Sequence, residues 1–367
     1  MKRRDSLTAI LAGLTLGMRA ARGADRFDDT MEAAASLIQK QVDTQALESA
    51  VLYVRQGSNT FQRHWGKAAS ADAMFLLGSI TKPMTAAAVM VLADRGELRL
   101  SDPAHKFLPE FSEGARKQVT LEQLLIHTSG LPDQLPENNA LRARHAPLAD
   151  FVAATFTTPL LFKPGSRYNY QSMGILLAAE VVERITKSSL PEFLAQHLFA
   201  PLAMKHSALG LGPFKLADMV ACQTEHAAPE SGAGAAEAAD WNWNSSYWRN
   251  LAAPWGGAHS SAADVAKFLD SFIDGRGKVL RDETALAMIQ NHTPGLEKRR
   301  GLGFDLNYDG FGKGCSPRTF GHSGSTGTFA WADPASDTTC VILTSLPGRV
   351  SRPLLLQPVS DVVSQRT

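Results

Sequence analysis

The chain has 367 residues, 44% hydrophobic and 20% charged, and its 37 basic and 36 acidic side chains leave a formal charge of +1. That length holds one large domain or two intimately packed ones with a sizeable core. The balanced charge and ordinary globular composition speak against nucleic acid or an acidic surface as partner.

The chain opens with MKRRDSLTAILAGLTLGMRAARGAD, in which three basic residues precede an apolar run from Leu7 to Met18 and then small residues. This pattern predicts a secretory signal over residues 1–24, with a peptidase site near Ala21-Arg22-Gly23 or Ala24. The run is short for a membrane span, so the expectation is an exported protein, periplasmic or secreted, with no span after signal removal. Arg3-Arg4 resembles a twin-arginine signal, but Ser6 stands where that signal prefers an apolar residue. The three cysteines, Cys222, Cys315 and Cys340, are odd in number and widely spaced, which favours structural thiols over a disulfide framework or a metal site.

A helix is expected in TMEAAASLIQKQVD, followed by two β-rich runs around Gln56-Gly57-Ser58-Asn59 that read as a hairpin. FLLGSITKPMTAAAVM begins a helix that should stop near Gly96. From about Leu98 to residue 290 short amphipathic helices alternate with Pro and Gly turns: LEQLLIH, LADFVAATF, MGILLAAEVVERITK, LPEFLAQHLF and AADVAKFLDSFI. One long loop in this region ends in Trp241, Trp243, Tyr247 and Trp248, either a buried plug or a pocket wall. Strand patterns return in GLGFDLNY, TFGHSGSTGTFAWADP and TTCVILTSLPG, with a turn at residues 333–337, and RPLLLQPVSDVVSQ closes the chain as a helix. Strands at both ends predict one α/β sheet domain from residues 25–97 and 297–367, with an inserted helical domain at 98–296.

Ser79 and Lys82 lie three residues apart. Such a pair is weak evidence by itself, since roughly one is expected per chain of this length. Their position strengthens it. Residues i and i+3 share a helix face, and Pro83 is tolerated only in the first turn, so the helix should begin close to both residues. A hydroxyl there has free backbone N–H groups beside it, which suits an oxyanion. Lys82 can act as a base only if burial or a second cation lowers its pKa. Tyr170-Gln171-Ser172 before a helix and His322-Ser323-Gly324-Ser325 in a β-rich run supply candidate partners. His127-Thr128-Ser129-Gly130 reads as a helix end and Gly turn that supports the site.

These motifs, in this order with GELRLSDPAHKFLPEF, VTLEQLLIHTSGLP and PWGGAHSSAADVAKFL, resemble the serine β-lactamase and penicillin-binding-protein superfamily. The similarity is to its branch of class C β-lactamases, D-alanyl-D-alanine carboxypeptidases and related esterases. The resemblance implies an α+β fold with an antiparallel sheet built from both chain ends and flanked by helices. It makes Ser79 the acyl-forming nucleophile, Lys82 and Tyr170 the proton-transfer groups, and the N–H groups of Ser79 and Ser325 the oxyanion hole. Ser172, His322, Ser323, Gly324, Trp241 and Trp243 would then face the substrate. Two residues depart from the usual motifs. Ser172 replaces an asparagine and His322 a lysine, which lowers the expectation of β-lactam hydrolysis.

The expected protein is an exported serine hydrolase of small amides, peptides or esters, with no metal and no cofactor. β-Lactam hydrolysis is one alternative. A non-catalytic penicillin- or peptidoglycan-binding module is the other, although a pure binder has no physical need for Ser79, Lys82 and Tyr170 together.

Overall fold

The structure, a computed structural model, describes residues 26–273 and 279–365; the expected signal segment lies outside them. Its larger sheet joins strands from both ends of the chain in the order β2 (Asn59–Gly66), β1 (Ser49–Gln56), β8 (Thr338–Thr344), β7 (Thr328–Asp333) and β6 (Phe320–Gly324). Every neighbouring pair is antiparallel. The hairpin expected at residues 56–59 is present as a two-residue loop, and the turn at 333–337 joins β7 to β8.

Because side chains in a strand alternate between faces, each central strand feeds two cores. Leu52, Val54, Phe329, Trp331, Cys340 and Ile342 point to one side. There they meet helix α1 (residues 26–43) and the C-terminal helix, which includes Gln357–Val363. Trp331 Nε1 donates to Ser360 Oγ at 2.7 Å, so the indole enters this core with its polar atom satisfied. Val51, Ala330, Ala332, Val341 and Leu343 point to the other side, into the main core.

The Ser79 helix, α2 (Thr81–Asp94), belongs to that main core and is buried on nearly all sides. Its Ala86-Ala87-Ala88 run lets neighbouring elements come close, and α2 packs against α6 (Met173–Thr186). Between α2 and α6 come α3 (Leu121–Leu125), α4 (Asn138–Ala143) and α5 (Leu148–Thr157). After α6 come α7 (Leu190–Leu194), α8 (Ser246–Leu251) and α9 (Ala262–Asp270). Within this mainly helical stretch α9 lies on the large sheet, against β8, β1 and β7. A second antiparallel sheet, β3 (Phe75–Leu76), β5 (Ala258–Ser260) and β4 (Ser207–Leu209), runs beside the start of α2.

The C-terminal strand pattern needs two corrections. GLGFDLNY alternates apolar residues as a strand would, yet it makes only isolated bridges, Arg300 to Asp305 and Asp305 to Gly321. Gly303 breaks the ladder with φ +82°, and a Cβ there would sit 2.9 Å from Pro83 Cα, so this backbone presses against α2 instead of extending. The run TFGHSGSTGTFAWADP is two strands, β6 and β7, reversed through Ser325-Thr326-Gly327. All three cysteines are buried and unpaired. Among the described residues no helix is long and apolar enough to cross a membrane.

The β6–β7 turn is bound to the segment that carries Ser79. Thr326 Oγ1 donates to the Leu76 carbonyl at 2.7 Å, and Thr328 Oγ1 to the Leu77 carbonyl at 2.6 Å. Gly78 adopts φ +55°, and a Cβ there would meet Thr326 Oγ1 at 3.0 Å and Ser325 N at 3.2 Å. Gly78→Ala is therefore expected to destabilise the fold by about 1 to 3 kcal/mol. Chemical denaturation should show this as a lower midpoint with an unchanged slope.

Candidate active site

Ser79 sits in the 3₁₀ turn Gly78–Ile80, and the α-helix starts at Thr81 with Pro83 in its first turn. Thr81 ties the start down: its Oγ1 donates to the Gly78 carbonyl at 2.7 Å and accepts from Ala258 N–H at 3.1 Å. Lys82 is 1% exposed, and its Nζ donates to Ser79 Oγ at 2.9 Å and to the Trp255 carbonyl at 3.1 Å. The predicted pair is thus a direct contact.

Burial is the main cause that lowers the Lys82 pKa from 10.5 to about 8, and the Arg300 charge works in the same direction. Asp133 and Glu230 partly oppose it. Near pH 7 roughly a tenth of the molecules therefore hold Lys82 neutral, which is the form that can accept the Ser79 proton.

Tyr170 closes the cluster. Its ring lies 4.7 Å from Lys82 Nζ, and its phenol lines the cleft with Ser79, close enough for the serine to act on its pKa. Burial, with the Asp133 charge adding to it, pushes the phenol well above its ordinary pKa. It stays protonated, a donor held beside the reacting oxygen. Behind Tyr170 stands His127, with ring centroids 4.7 Å apart, so the expected supporting loop also touches a site residue. Ser129 Oγ donates to Gln171 Oε1 at 2.6 Å and fastens that loop to the Tyr170 segment.

His322 occupies β6 with Nδ1–H donating to the Ser323 carbonyl at 2.7 Å, which leaves Nε2 to accept from Arg300 Nη2 at 3.3 Å. Burial first, then the charges of Arg300 and Lys82, hold His322 neutral, well below its ordinary pKa. The cation beside His322 is therefore Arg300, which also reaches His127 Nε2 at 2.9 Å. Sequence reasoning missed Arg300, because a Lys298-Arg299-Arg300 run reads as a solvated charge patch.

Ser79 and Ser325 lie where two hollows meet. One, about 360 Å³, runs along β6 past His322, Ser323 and Gly324 and carries Arg300, Arg349 and Arg352 against a single carboxylate, Asp305. The other, about 110 Å³, is walled by Trp243, Trp248 and Trp255 and holds Asp133, Arg142 and Glu230. Ser172 lines it too, with Oγ donating to Asp133 Oδ1 at 2.6 Å. Of the expected substrate-facing residues, Trp241 does not reach either hollow; it is buried at Gly232. Asp133, Arg142 and Glu230 carried no sequence signal, since Pro132-Asp133 reads as a turn and the others as surface charge. Among the described residues no cluster of His, Cys, Asp or Glu could hold a metal ion.

A serine bonded to a buried, pKa-lowered lysine at a helix start, faced by a tyrosine and a strand-end turn, is the arrangement of an acyl-transferring serine hydrolase. The chain belongs to the Beta-lactamase family, which its sequence matches over residues 34–360. Esterase EstB from Burkholderia gladioli is 33% identical over 175 residues, 44% of this chain and 44% of that protein. Among solved structures, EstCE1, a hydrolase with promiscuous acyltransferase activity, aligns with a TM-score of 0.75 and 18% identity over 92% of this chain and 99% of that one. The D-amino acid amidase from Ochrobactrum anthropi SV3 aligns with a TM-score of 0.70 and 20% identity over 90% of this chain and 98% of the amidase. These two solved structures share the fold. The chain spans 34% to 44% of the length of the curated relatives it matches.

The lowered Lys82 pKa has two measurable consequences. With a neutral ester, kcat/KM should rise about tenfold per pH unit below about 8 and level off above it. The unfolded chain binds more protons than the folded one between about 8 and 10.5, so this group makes folding more favourable as pH rises through that window. Lys82→Met should abolish turnover yet raise stability at pH 7 by on the order of 1 to 3 kcal/mol, a gain that disappears above the window.

Proposed function

We propose that the protein is an exported serine hydrolase that cleaves small amides or peptides whose leaving group carries a carboxylate, in the manner of a carboxypeptidase. The observation that carries this reading is the guanidinium-rich hollow beside Ser79, with Arg300, Arg349 and Arg352 gathered along β6. Guanidinium groups pair with carboxylates through charge-assisted, often bidentate hydrogen bonds. Arg300 supplies the fixed charge that a neutral His322 lacks. The signal-like residues 1–24 support export.

In this mechanism neutral Lys82 takes the Ser79 proton as Oγ attacks the carbonyl. The N–H groups of Ser79 and Ser325 hold the oxyanion, a role in which one lost donor typically costs about 3 to 4 kcal/mol of barrier. Tyr170 and Lys82 then pass a proton to the leaving nitrogen, and water releases the acyl group by the same steps in reverse order. Carboxylester hydrolysis is the second reading, supported by the similarity to EstB. β-Lactam hydrolysis ranks third.

The test is to compare p-nitrophenyl acetate, a fluorescent penicillin and a D-Ala-D-Ala peptide on the parent protein and on Ser79→Ala. Turnover should vanish in the variant, and equal rates would overturn the nucleophile. The peptide with a free C-terminal carboxylate should exceed its C-terminal amide in kcat/KM by roughly tenfold or more, the scale of a charge-assisted hydrogen bond.

A further inference from the structure

The smaller hollow has an unusual set of charges for a site that would receive an alkyl or aryl acyl group. Asp133 and Glu230 both line it, and among the described residues neither has a Lys, Arg or His nitrogen within ion-pair distance. Asp133 is fixed by Ser172, whose Oγ donates to Oδ1 and whose N–H donates to the Asp133 carbonyl at 3.3 Å. Its Oδ2 has no hydrogen bond among the described residues.

Arg142, which lines the same hollow, is 1% exposed and lies flat on Trp248, with its carbon 3.9 Å from the ring centroid. Its Nε donates to Asn138 Oδ1 at 3.2 Å, and its Nη1 has no partner among the described residues. Gln134 Oε1 is likewise buried without a partner. An apolar acyl group would leave these polar atoms unsatisfied, and such desolvated groups discriminate strongly against a ligand that cannot pair with them. The hollow is built for a polar ligand, and its lining favours a cation: two carboxylates, Asp133 and Glu230, stand against one guanidinium, Arg142.

We infer that this hollow is a subsite for a free ammonium group on the acyl side of the substrate, so that the preferred substrates are amides, esters or short peptides of an amino acid with an unblocked amine. At about 110 Å³ it admits one small residue. With the guanidinium-rich hollow on the leaving side, a free dipeptide matches both ends, its ammonium toward Asp133 and its carboxylate toward Arg300. The inference rests on the proposed function, which gives the guanidinium-rich hollow to the leaving group and so leaves this one, on the other side of Ser79, to the acyl group.

The bound ammonium also acts on the base. Asp133 is the strongest charge that favours protonated Lys82, and an ammonium paired with Asp133 cancels that influence. Free-amine substrates should therefore show the pH limb of kcat, which reports the substrate-bound enzyme, at lower pH than N-acetylated ones, a shift that a purely structural role for Asp133 would not produce.

The binding test needs no turnover. Titration calorimetry on Ser79→Ala measures alaninamide against N-acetylalaninamide, each in D and L forms. The free amine is expected to bind at least tenfold more tightly at pH 7, and the preference should collapse to within threefold when Asp133→Asn is added. Asparagine keeps the acceptor for Ser172, and Glu230→Gln, which should weaken the same preference at least threefold, is the second variant should the first fail to fold. Equal or tighter binding of the N-acetyl compound, or a preference that survives both substitutions, overturns the subsite. Hydrolysis of p-nitrophenyl acetate by the parent separates the subsite from the hydrolase. If it proceeds while the amine preference is absent, the subsite fails and the hydrolase stands; if the preference is present without any turnover, the subsite stands and the hydrolase fails.

Discussion

The site depends on the clasp between the β6–β7 turn and the strand end that precedes Ser79. Thr326 and Thr328 each donate a hydroxyl hydrogen to a carbonyl of Leu76 or Leu77, and Gly78 leaves no side chain between the two backbones. These bonds link segments far apart in the chain and hold the turn of Ser325 against the segment that leads into Ser79. The two-core packing of the large sheet holds one partner of the clasp, and the buried helix α2 holds the other. In the proposed mechanism, small errors in either would move an oxyanion donor away from the reacting oxygen, where geometry is worth most.

A buried lysine next to a buried arginine would ordinarily be an unfavourable pairing. In the proposed mechanism it has a chemical purpose, because the guanidinium charge helps burial to lower the Lys82 pKa and so to free the amine as a base. Among the described residues Arg300 contacts two histidines and no carboxylate at hydrogen-bond distance, with Asp305 3.7 Å away. Both imidazoles are kept neutral, so they hold the guanidinium in place without cancelling its field.

Much of the fold was legible because its signals are local: the hairpin at residues 56–59, the amphipathic helices between Pro and Gly turns, and the stop of α2 near Gly96. That Ser79, Lys82, Tyr170 and His322 come together was legible because their motifs keep order and spacing along the chain. GLGFDLNY misled because its alternation of Leu302, Phe304 and Leu306 reflects true burial, while a left-handed glycine denies the backbone a ladder. Arg300, Asp133 and Glu230 were illegible for a different reason. A charged residue in a loop reads as solvated, and only the approach of segments distant in the chain turns it into a buried or cleft-lining charge.

The two hollows that meet at Ser79 give the cleft an electric direction. One end gathers guanidinium groups and the other an excess of carboxylate, so the field along the groove is not symmetric about the nucleophile. A dipolar molecule entering this groove feels a torque before it makes any contact, and one that arrives reversed meets like charge at both ends. For the substrates proposed, polarity would in this way be sorted during approach, and the distance over which the sorting acts shrinks as salt shortens the reach of the field.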